Sequence, residues 1–277
     1  MASFSVVTNI GALRSHNQLV TTERHLNTTL QRLSSGLRIN GAQDDAAGLA
    51  IAENLRADVA GLNQAVRNAN DGLSVINVAD SALNEIASLL HRAMTLGEQA
   101  SSDTSGADSS ASKLAINDEY NQILSEIDRI AATVEFNGVN LLASSTTLDV
   151  QIGLTSAAND RIAITTTQID SSILGLTANA LDDKTSARSE LEQLQSAIDT
   201  VSSNRGDLGA NYNRIEHTIA VITVQAENLM AAESQVRDAD IAQEVVNMTR
   251  FQVLQQSGLS SLAQANASSQ QILSLLQ

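Results

Sequence analysis

The sequence predicts a mainly α-helical protein: a long antiparallel helical bundle or coiled coil formed by paired N- and C-terminal segments, with a small β-hairpin region in the middle. Apolar residues recur every three or four positions from Leu55 to Met94 and again from Leu191 to Leu229, a period that places them along one side of a helix. The 277-residue chain also contains no proline, the residue that most often interrupts a helix. Because a helix with one apolar stripe is not stable alone in water, we expect the two stripes to cover each other.

The N-terminal part is expected to form a terminal arm followed by one very long helix. The apolar stripe from Leu55 to Met94 is interrupted only at Asp80, and we predict a single helix from about 45 to 99. The second long stripe is interrupted in the same way at Arg205. The arm that precedes the first stripe contains a short heptad stretch of Leu26, Leu30, Leu33 and Leu37.

The middle of the chain is expected to form a third helix and two hairpins. Residues 101–112 are rich in Ser, Asp and Gly, which is typical of a linker, and an amphipathic stretch follows at about 114–133. The dipeptide Asn137-Gly138 lies between two short apolar runs and favours a hairpin turn. Alternating apolar and polar residues predict a second hairpin, with strands at 147–153 and 161–169 joined at Asn159-Asp160.

The C-terminal part is expected to pair with the N-terminal part, which leads us to predict two domains. One combines the terminal helical arms, 1–44 and 234–277. The other, 45–233, is a rod of long helices (about 45–99, 114–133 and 186–233) with β-hairpins at about 134–169. The apolar arm residues that we expect to mediate self-assembly are Leu26, Leu30, Leu33, Leu37, Leu254, Leu262, Ile272, Leu273 and Leu276.

Composition argues against several functional classes. The net charge is −15, and with only two lysines and no basic patch, nucleic acid and membrane are not expected partners. The absence of cysteine excludes disulfides, thiol nucleophiles and cysteine metal sites. No apolar run approaches the roughly 20 residues of a membrane span. The N terminus lacks the basic start and apolar run of a cleaved signal peptide, so we expect export without one.

The sequence contains no recognisable motif for catalysis or cofactor binding. The four histidines fit no metal-ligand spacing, and the glycines fit no phosphate-binding loop. Asp44-Asp45 lacks the alternating ligands of a calcium loop and is better explained as the start of a helix. The serines lack the GxSxG pattern of a nucleophile elbow. We therefore expect a protein that is not an enzyme and that has no cofactor and no metal.

Several segments resemble bacterial flagellin. LSSGLRINGAQDDAAGLAIAENLRADVAGLNQAVRNANDGLSVINVADSALNEI (33–86) is similar to the family's N-terminal signature, and EIDRIAATVEFNGVNLL (126–142) to its central segment. Residues 213–245 and 261–277 are similar to its C-terminal signature. The resemblance implies a secreted structural subunit that self-assembles into the extracellular flagellar filament for swimming motility, a helical homopolymer whose formation is coupled to ordering of the arms. The short stretch at about 165–185 implies a compact flagellin without outer domains.

The resemblance also implies partners. These are a flagellin export chaperone at the C-terminal arm, the filament cap, the hook–filament junction proteins and, in vertebrate hosts, Toll-like receptor 5. The family's receptor-recognition pattern is matched by Leu90, Arg92, Leu96 and Gln99 on the first long helix and by Glu119 on the next. A plainer explanation of these residues is helix packing for the leucines and solvated surface charge for Arg92 and Glu119. Two other interpretations stay open: a hook–filament junction protein of related sequence, and another secreted coiled-coil protein.

Overall fold

A computed structural model describes residues 8–102 and 110–274 of the chain. The described residues form five α-helices and two antiparallel two-stranded sheets, which confirms the predicted fold class. The helices are α1 (Ile10–Ser35), α2 (Ala46–Ser101), α3 (Ser110–Thr133), α4 (Lys184–Arg237) and α5 (Ile241–Ser274). The strands are β1 (Glu135–Phe136), β2 (Val139–Asn140), β3 (Thr146–Gln151) and β4 (Arg161–Thr166).

The chain divides into two compact units. Unit 1 combines Met1–Ala57 with Asn228–Gln277, and unit 2 is Asp58–Glu227. Both boundaries fall inside long helices, α2 and α4. The domain boundaries predicted from the sequence, 44/45 and 233/234, lie instead near the start of α2 and the end of α4. These boundaries stay a prediction.

The core of unit 2 is built from aliphatic side chains of α2, α3, α4 and the hairpins. Ile86 on α2, Ile127 on α3 and Leu194 on α4 are fully buried members of this cluster. Small residues such as Ala69 on α2 and Ala197 on α4 belong to it as well. Since alanine adds little side-chain volume, it lets neighbouring helices approach closely, which suits the thin apolar stripes seen in the sequence.

The charged residues that interrupt the two stripes pair with each other. Arg205 Nε donates to Asp80 Oδ1 at 2.8 Å. The two side chains are 35% and 44% exposed. An ion pair this exposed stabilises a protein by at most about 1 kcal/mol. Its main effect is to give each of the two charges an opposite charge as a partner.

The two hairpins form where the sequence predicts them, but the strand bounds of the second one differ: β3, expected at 147–153, covers Thr146–Gln151. Asn137 and Gly138 both have positive φ, 50° and 78°, as a two-residue type I′ turn requires. β3 and β4 pair from Thr146↔Thr166 to Gln151↔Arg161. The second strand was expected to continue to residue 169, and this was wrong. The chain leaves the sheet after Thr166 because the Ile169 N–H donates to the Leu142 carbonyl instead of to β3.

The connection of the second hairpin is two residues longer than the segment 154–160 that the expected strand bounds leave between the strands. Residues 152–160 form a longer loop, which the Asp160 carboxylate closes by accepting the backbone N–H of Thr155 at 2.8 Å. A hydrogen bond from the Thr155 hydroxyl joins the same oxygen. These hydrogen bonds lower the pKa of Asp160 from its ordinary value because they favour the charged carboxylate.

Gly72 allows β3 to pack directly onto α2. A Cβ atom at this position would lie 2.9 Å from Val150 Cγ2, which is closer than two carbon atoms approach in a packed protein. The sequence shows glycines inside this helix, where they normally weaken it. At Gly72 the cost in helix propensity is offset by contact with the hairpin.

The segment between β4 and α4 is held against α3 by asparagine side chains. Asn117 Nδ2 and Asn121 Nδ2 both donate to Asn179 Oδ1, at 3.0 and 2.8 Å. Asn179 has a positive φ of 62°, a conformation that asparagine tolerates better than most residues. The short connection is therefore a fixed part of unit 2 that follows the surface of α3.

One described helix, α2, is long and apolar enough to cross a membrane by length and composition alone. In the structure 39% of its most apolar stretch is buried within the protein. The core helix of a water-soluble protein has the same properties, so this finding gives little support to a membrane span. The expectation that the protein has no membrane partner stays a prediction.

Candidate assembly interface

Within unit 1, α1 and α5 pack against each other in antiparallel orientation. Near the start of α1, Asn9 Nδ2 donates to the Ala265 carbonyl at 3.0 Å. Further along, the His25 ring stacks on Phe251 with centroids 5.4 Å apart. Near the end of α1, Arg32 Nη1 lies 3.4 Å from Glu244 Oε1. Partners on α5 thus move towards its N terminus as α1 proceeds towards its C terminus.

The pairing continues in the loops that follow α1 and precede α5. The Arg38 N–H donates to the Arg237 carbonyl at 2.6 Å, and the Ala239 N–H donates to the Gly36 carbonyl at 2.9 Å. Gly36 ends α1 in the left-handed conformation, with φ 75°, which glycine adopts without steric cost. Arg237 Nη1 also contacts Glu53 Oε1 at 3.1 Å. These contacts hold the chain just after α1 against the chain just before α5.

The arms bury little apolar surface for their length. The buried residues of α1 are Leu19, Thr22 and Thr29. Among the described side chains of α5, Glu244 alone is buried, at 8% exposed. By contrast, the large apolar residues of the arms that lie exposed are Ile10, Leu13, Leu30, Ile241, Val245, Val246, Val253, Leu254 and Leu259. An exposed apolar surface of this kind marks an interaction site.

The exposed residues of α5 lie on more than one side of the helix. Glu244 and Phe251 face α1, as their contacts with Arg32 and His25 show. Val246 and Val253 follow these two by two positions, so they lie about 200° further around the helix. A helix with apolar residues on opposite sides is normally covered on both. The pairing with α1 covers one side of α5 and leaves the other for a different partner.

The assembly residues named from the sequence are only partly covered in the structure. Leu30 and Leu254 are 44% and 46% exposed. Leu26, Leu33, Leu37 and Leu262 are half-buried. Leu276 and the side chains of Ile272 and Leu273 lie outside the described part of the chain. The role of all nine residues in assembly stays a prediction.

Sequence reasoning missed two of the most exposed apolar residues on α5. Val246 and Val253 are seven positions apart, a spacing that indicates a common side of a helix. The residues predicted for assembly are leucines and one isoleucine, whereas valine also occupies helix-packing positions. The 7-residue spacing was the signal that identifies this second side.

The predicted receptor surface is divided between the core and the surface of unit 2. Leu90 and Leu96 are 0% and 2% exposed, so they pack in the core and are not accessible to a partner of the folded subunit. Arg92 Nη2 contacts Glu119 Oε1 at 2.7 Å on the surface, and Gln99 is exposed on the same helix as Arg92. The accessible part of the predicted surface is therefore Arg92, Gln99 and Glu119.

Groups suited to metal binding are sparse. Across residues 8–102 and 110–274, no three His, Asp or Glu side chains come together in an arrangement that could hold an ion. The four histidines are all exposed, and His25 stacks on an aromatic ring. The interface described above is thus the feature of the molecule that most needs a functional explanation.

Two family models and several known proteins match this chain. Residues 6–147 match the family described as the bacterial flagellin N-terminal helical region, and residues 191–276 match the bacterial flagellin C-terminal helical region. A flagellin of Halalkalibacterium halodurans is 40% identical over 97% of this chain and 98% of its own length. A flagellin of Bacillus subtilis is 37% identical over 97% of this chain and 98% of its own length. The crystal structure of Bacillus cereus flagellin is 30% identical, with 60% of this chain and 94% of that chain covered and a TM-score of 0.48.

Proposed function

Since the chain belongs to the bacterial flagellin family, we propose that the exposed apolar sides of α1 and α5 drive its polymerisation and that these arms become fully ordered only in the polymer. As a family member it is a structural, non-enzymatic protein that assembles with itself into the extracellular flagellar filament. The observation that carries the proposal is the lack of any buried apolar residue among the described side chains of α5.

The physical reason is the balance between ordering and burial. Fixing one residue of backbone costs about 1–2 kcal/mol, and burial of apolar surface must offset it. In a lone subunit the contact between α1 and α5 offsets only part of this cost. Neighbouring copies supply the missing surface. A contact that joins different parts of successive copies, with a rotation that does not close into a ring, extends as a helical polymer.

Hydrogen exchange of the backbone amides tests this coupling. We expect amides of α1 and α5 to exchange at least about 100-fold faster in the soluble subunit than in the filament. Amides of the unit 2 core, such as those of Ile86 and Leu194, serve as an internal control because their burial does not depend on neighbours. Equal protection of the arms in subunit and filament would contradict the proposal.

The other family partners follow from the same surface. A chaperone that binds α5 before export covers apolar residues such as Val253 and Leu254 and prevents premature association. The filament cap and the hook–filament junction proteins meet the arms at the two ends of the polymer. Export leaves the N terminus uncleaved. The family matches over 6–147 and 191–276 support a filament subunit over a hook–filament junction protein or another coiled-coil protein.

Recognition by Toll-like receptor 5 is assigned to Arg92, Gln99 and Glu119. These residues lie on the exposed sides of α2 and α3, and the ion pair between Arg92 and Glu119 holds the guanidinium in place. Arginine is frequent among residues that dominate binding because its planar group makes several hydrogen bonds at once. The support for this assignment is the family pattern together with the exposure of these side chains.

Arg92→Ala is expected to weaken receptor activation by about tenfold or more, the loss typical of an interface arginine. The readout is half-maximal activation in a reporter-cell assay. Arg129→Ala is a matched control, since the Arg129 side chain is 59% exposed against 57% for Arg92 and is likewise paired with a carboxylate on the surface. An unchanged response to Arg92→Ala, or an equal loss from Arg129→Ala, would remove Arg92 from the recognition surface.

A further inference from the structure

Unit 2 has an apolar groove between α2 and the two hairpins. Its apolar wall is formed by Phe136, Val139, Leu148 and Val150, and the cavity volume is about 280 Å³. Asp71 and Asp149 also line it, and Asp149 is paired with Arg161, whose Nη1 lies 3.6 Å from Asp149 Oδ2. A cavity of this size is at or below the small end of the roughly 300–1,000 Å³ typical of small-molecule sites. It fits a few aliphatic side chains better than a cofactor.

A separate surface of unit 2, on α4, has exposed apolar side chains and a positive charge, which complement the apolar and acidic residues of the groove. Val221 and Val224 on α4 are 66% and 56% exposed, which is unusual for neighbouring aliphatic residues on one helix. Arg214 and His217 precede them with the spacing that places all four on one side of α4. We call these four residues the α4 ridge. The buried Ile215 and Ile222 face the core instead.

We propose that the α4 ridge of one copy docks in the groove of the next copy of this chain. This inference rests on the proposed self-assembly and names a second pair of surfaces for it, independent of the arms. The two surfaces differ, so the contact is head-to-tail, the kind of contact that can extend into an open helical polymer. It gives unit 2 a direct part in the polymer.

Charge complementarity identifies the occupant. Asp71 is exposed, lines the groove and has no ion-pair partner in the described ranges. Arg214 is likewise exposed and without such a partner there, and it begins the α4 ridge about 10 Å along the helix from Val221. The chain carries 31 acidic but only 16 basic side chains, so most surfaces of two copies repel each other. An apolar ridge flanked by an unpaired arginine, and an apolar groove flanked by an unpaired aspartate, form a favourable exception.

Charge reversal of the full-length protein tests the contact. We expect Arg214→Glu and Asp71→Arg each to slow elongation of preformed filament seeds at least about tenfold, since each places like charges in contact. The double variant restores opposite charges and is expected to recover most of the elongation rate. Circular dichroism of each soluble subunit should be unchanged, because both side chains are exposed.

Arg188→Glu is the matched control, since Arg188 is also exposed on α4 but lies outside the ridge. It makes the same change in net charge and is expected to elongate close to the normal rate. Normal elongation of both single variants, or a double variant no better than the worse single one, would overturn the docking proposal. Loss of elongation in Arg188→Glu equal to that in Arg214→Glu would also overturn it. None of these outcomes bears on the arms, whose hydrogen-exchange test is separate.

Discussion

Val253→Asp is expected to abolish filament growth while leaving the soluble subunit folded. Val253 is 69% exposed and lies on the side of α5 that faces away from α1. In the lone subunit an aspartate there stays in water, and substitutions of this kind change the free energy of unfolding by about 0.5 kcal/mol or less. If the arms drive polymerisation as proposed, a neighbouring copy covers the same position in the filament. An unpaired carboxylate buried there costs several kcal/mol at every subunit contact.

The measurement is growth from filament seeds, followed by sedimentation and electron microscopy. Val253→Thr is the control, because threonine keeps the branched shape of valine without adding a charge. It is expected to elongate at a reduced but measurable rate. Filaments of normal length from Val253→Asp would show that this side of α5 stays in water in the polymer, and the proposed role of the arms would then be wrong.

The long helices could be predicted from the sequence because their signal is local. A stripe of apolar residues at three- and four-residue spacing depends only on the order of the chain. The Asn137-Gly138 turn is similarly local, since both residues tolerate the positive φ that the turn requires. For the same reason the prediction placed the start of the first long helix near residue 45, and the structure begins α2 at Ala46.

Features that depend on contacts between distant residues were not predictable. In the sequence Asp80 and Arg205 each interrupt a stripe of apolar residues. Only the fold shows that the two residues, 125 positions apart, pair with each other. The end of β4 at Thr166 follows from a hydrogen bond to Leu142, which no alternating pattern reveals. The same is true of the candidate assembly interface. The spacing of apolar residues predicts that α5 packs against another helix, but it does not predict which side of α5 faces α1.

A buried hydrogen-bond network in unit 2 is expected to contribute strongly to its stability. Tyr120 is fully buried, and its hydroxyl donates to Glu190 Oε1 at 2.5 Å. The Thr177 N–H donates to the same oxygen at 2.9 Å. Burial raises the pKa of Tyr120 well above its ordinary value, and the hydrogen bond and negative charge of Glu190 raise it further.

Tyr120→Phe is expected to destabilise unit 2 by about 1–3 kcal/mol, because Glu190 is buried and loses one of its hydrogen bonds. Glu190→Gln is the matched variant. Its amide oxygen can still accept both hydrogen bonds, so we expect a smaller loss. Thermal or urea unfolding of the soluble subunit measures both values. Equal stability of Tyr120→Phe and the unmodified chain would show that the network contributes nothing to the fold.

The same network makes stability depend on pH in the alkaline range. An unfolded tyrosine loses its proton near its ordinary pKa of 10.0, whereas folded Tyr120 keeps it. The unfolded state therefore binds fewer protons above this pH, and the contribution of Tyr120 to stability, fully present below pH 10, decreases by up to about 1.4 kcal/mol per pH unit above it. In a Tyr212→Phe background Tyr120 is the remaining tyrosine of the chain's two. Tyrosinate absorbance should then rise together with the loss of helical circular dichroism, and ionisation that precedes unfolding would contradict the assignment.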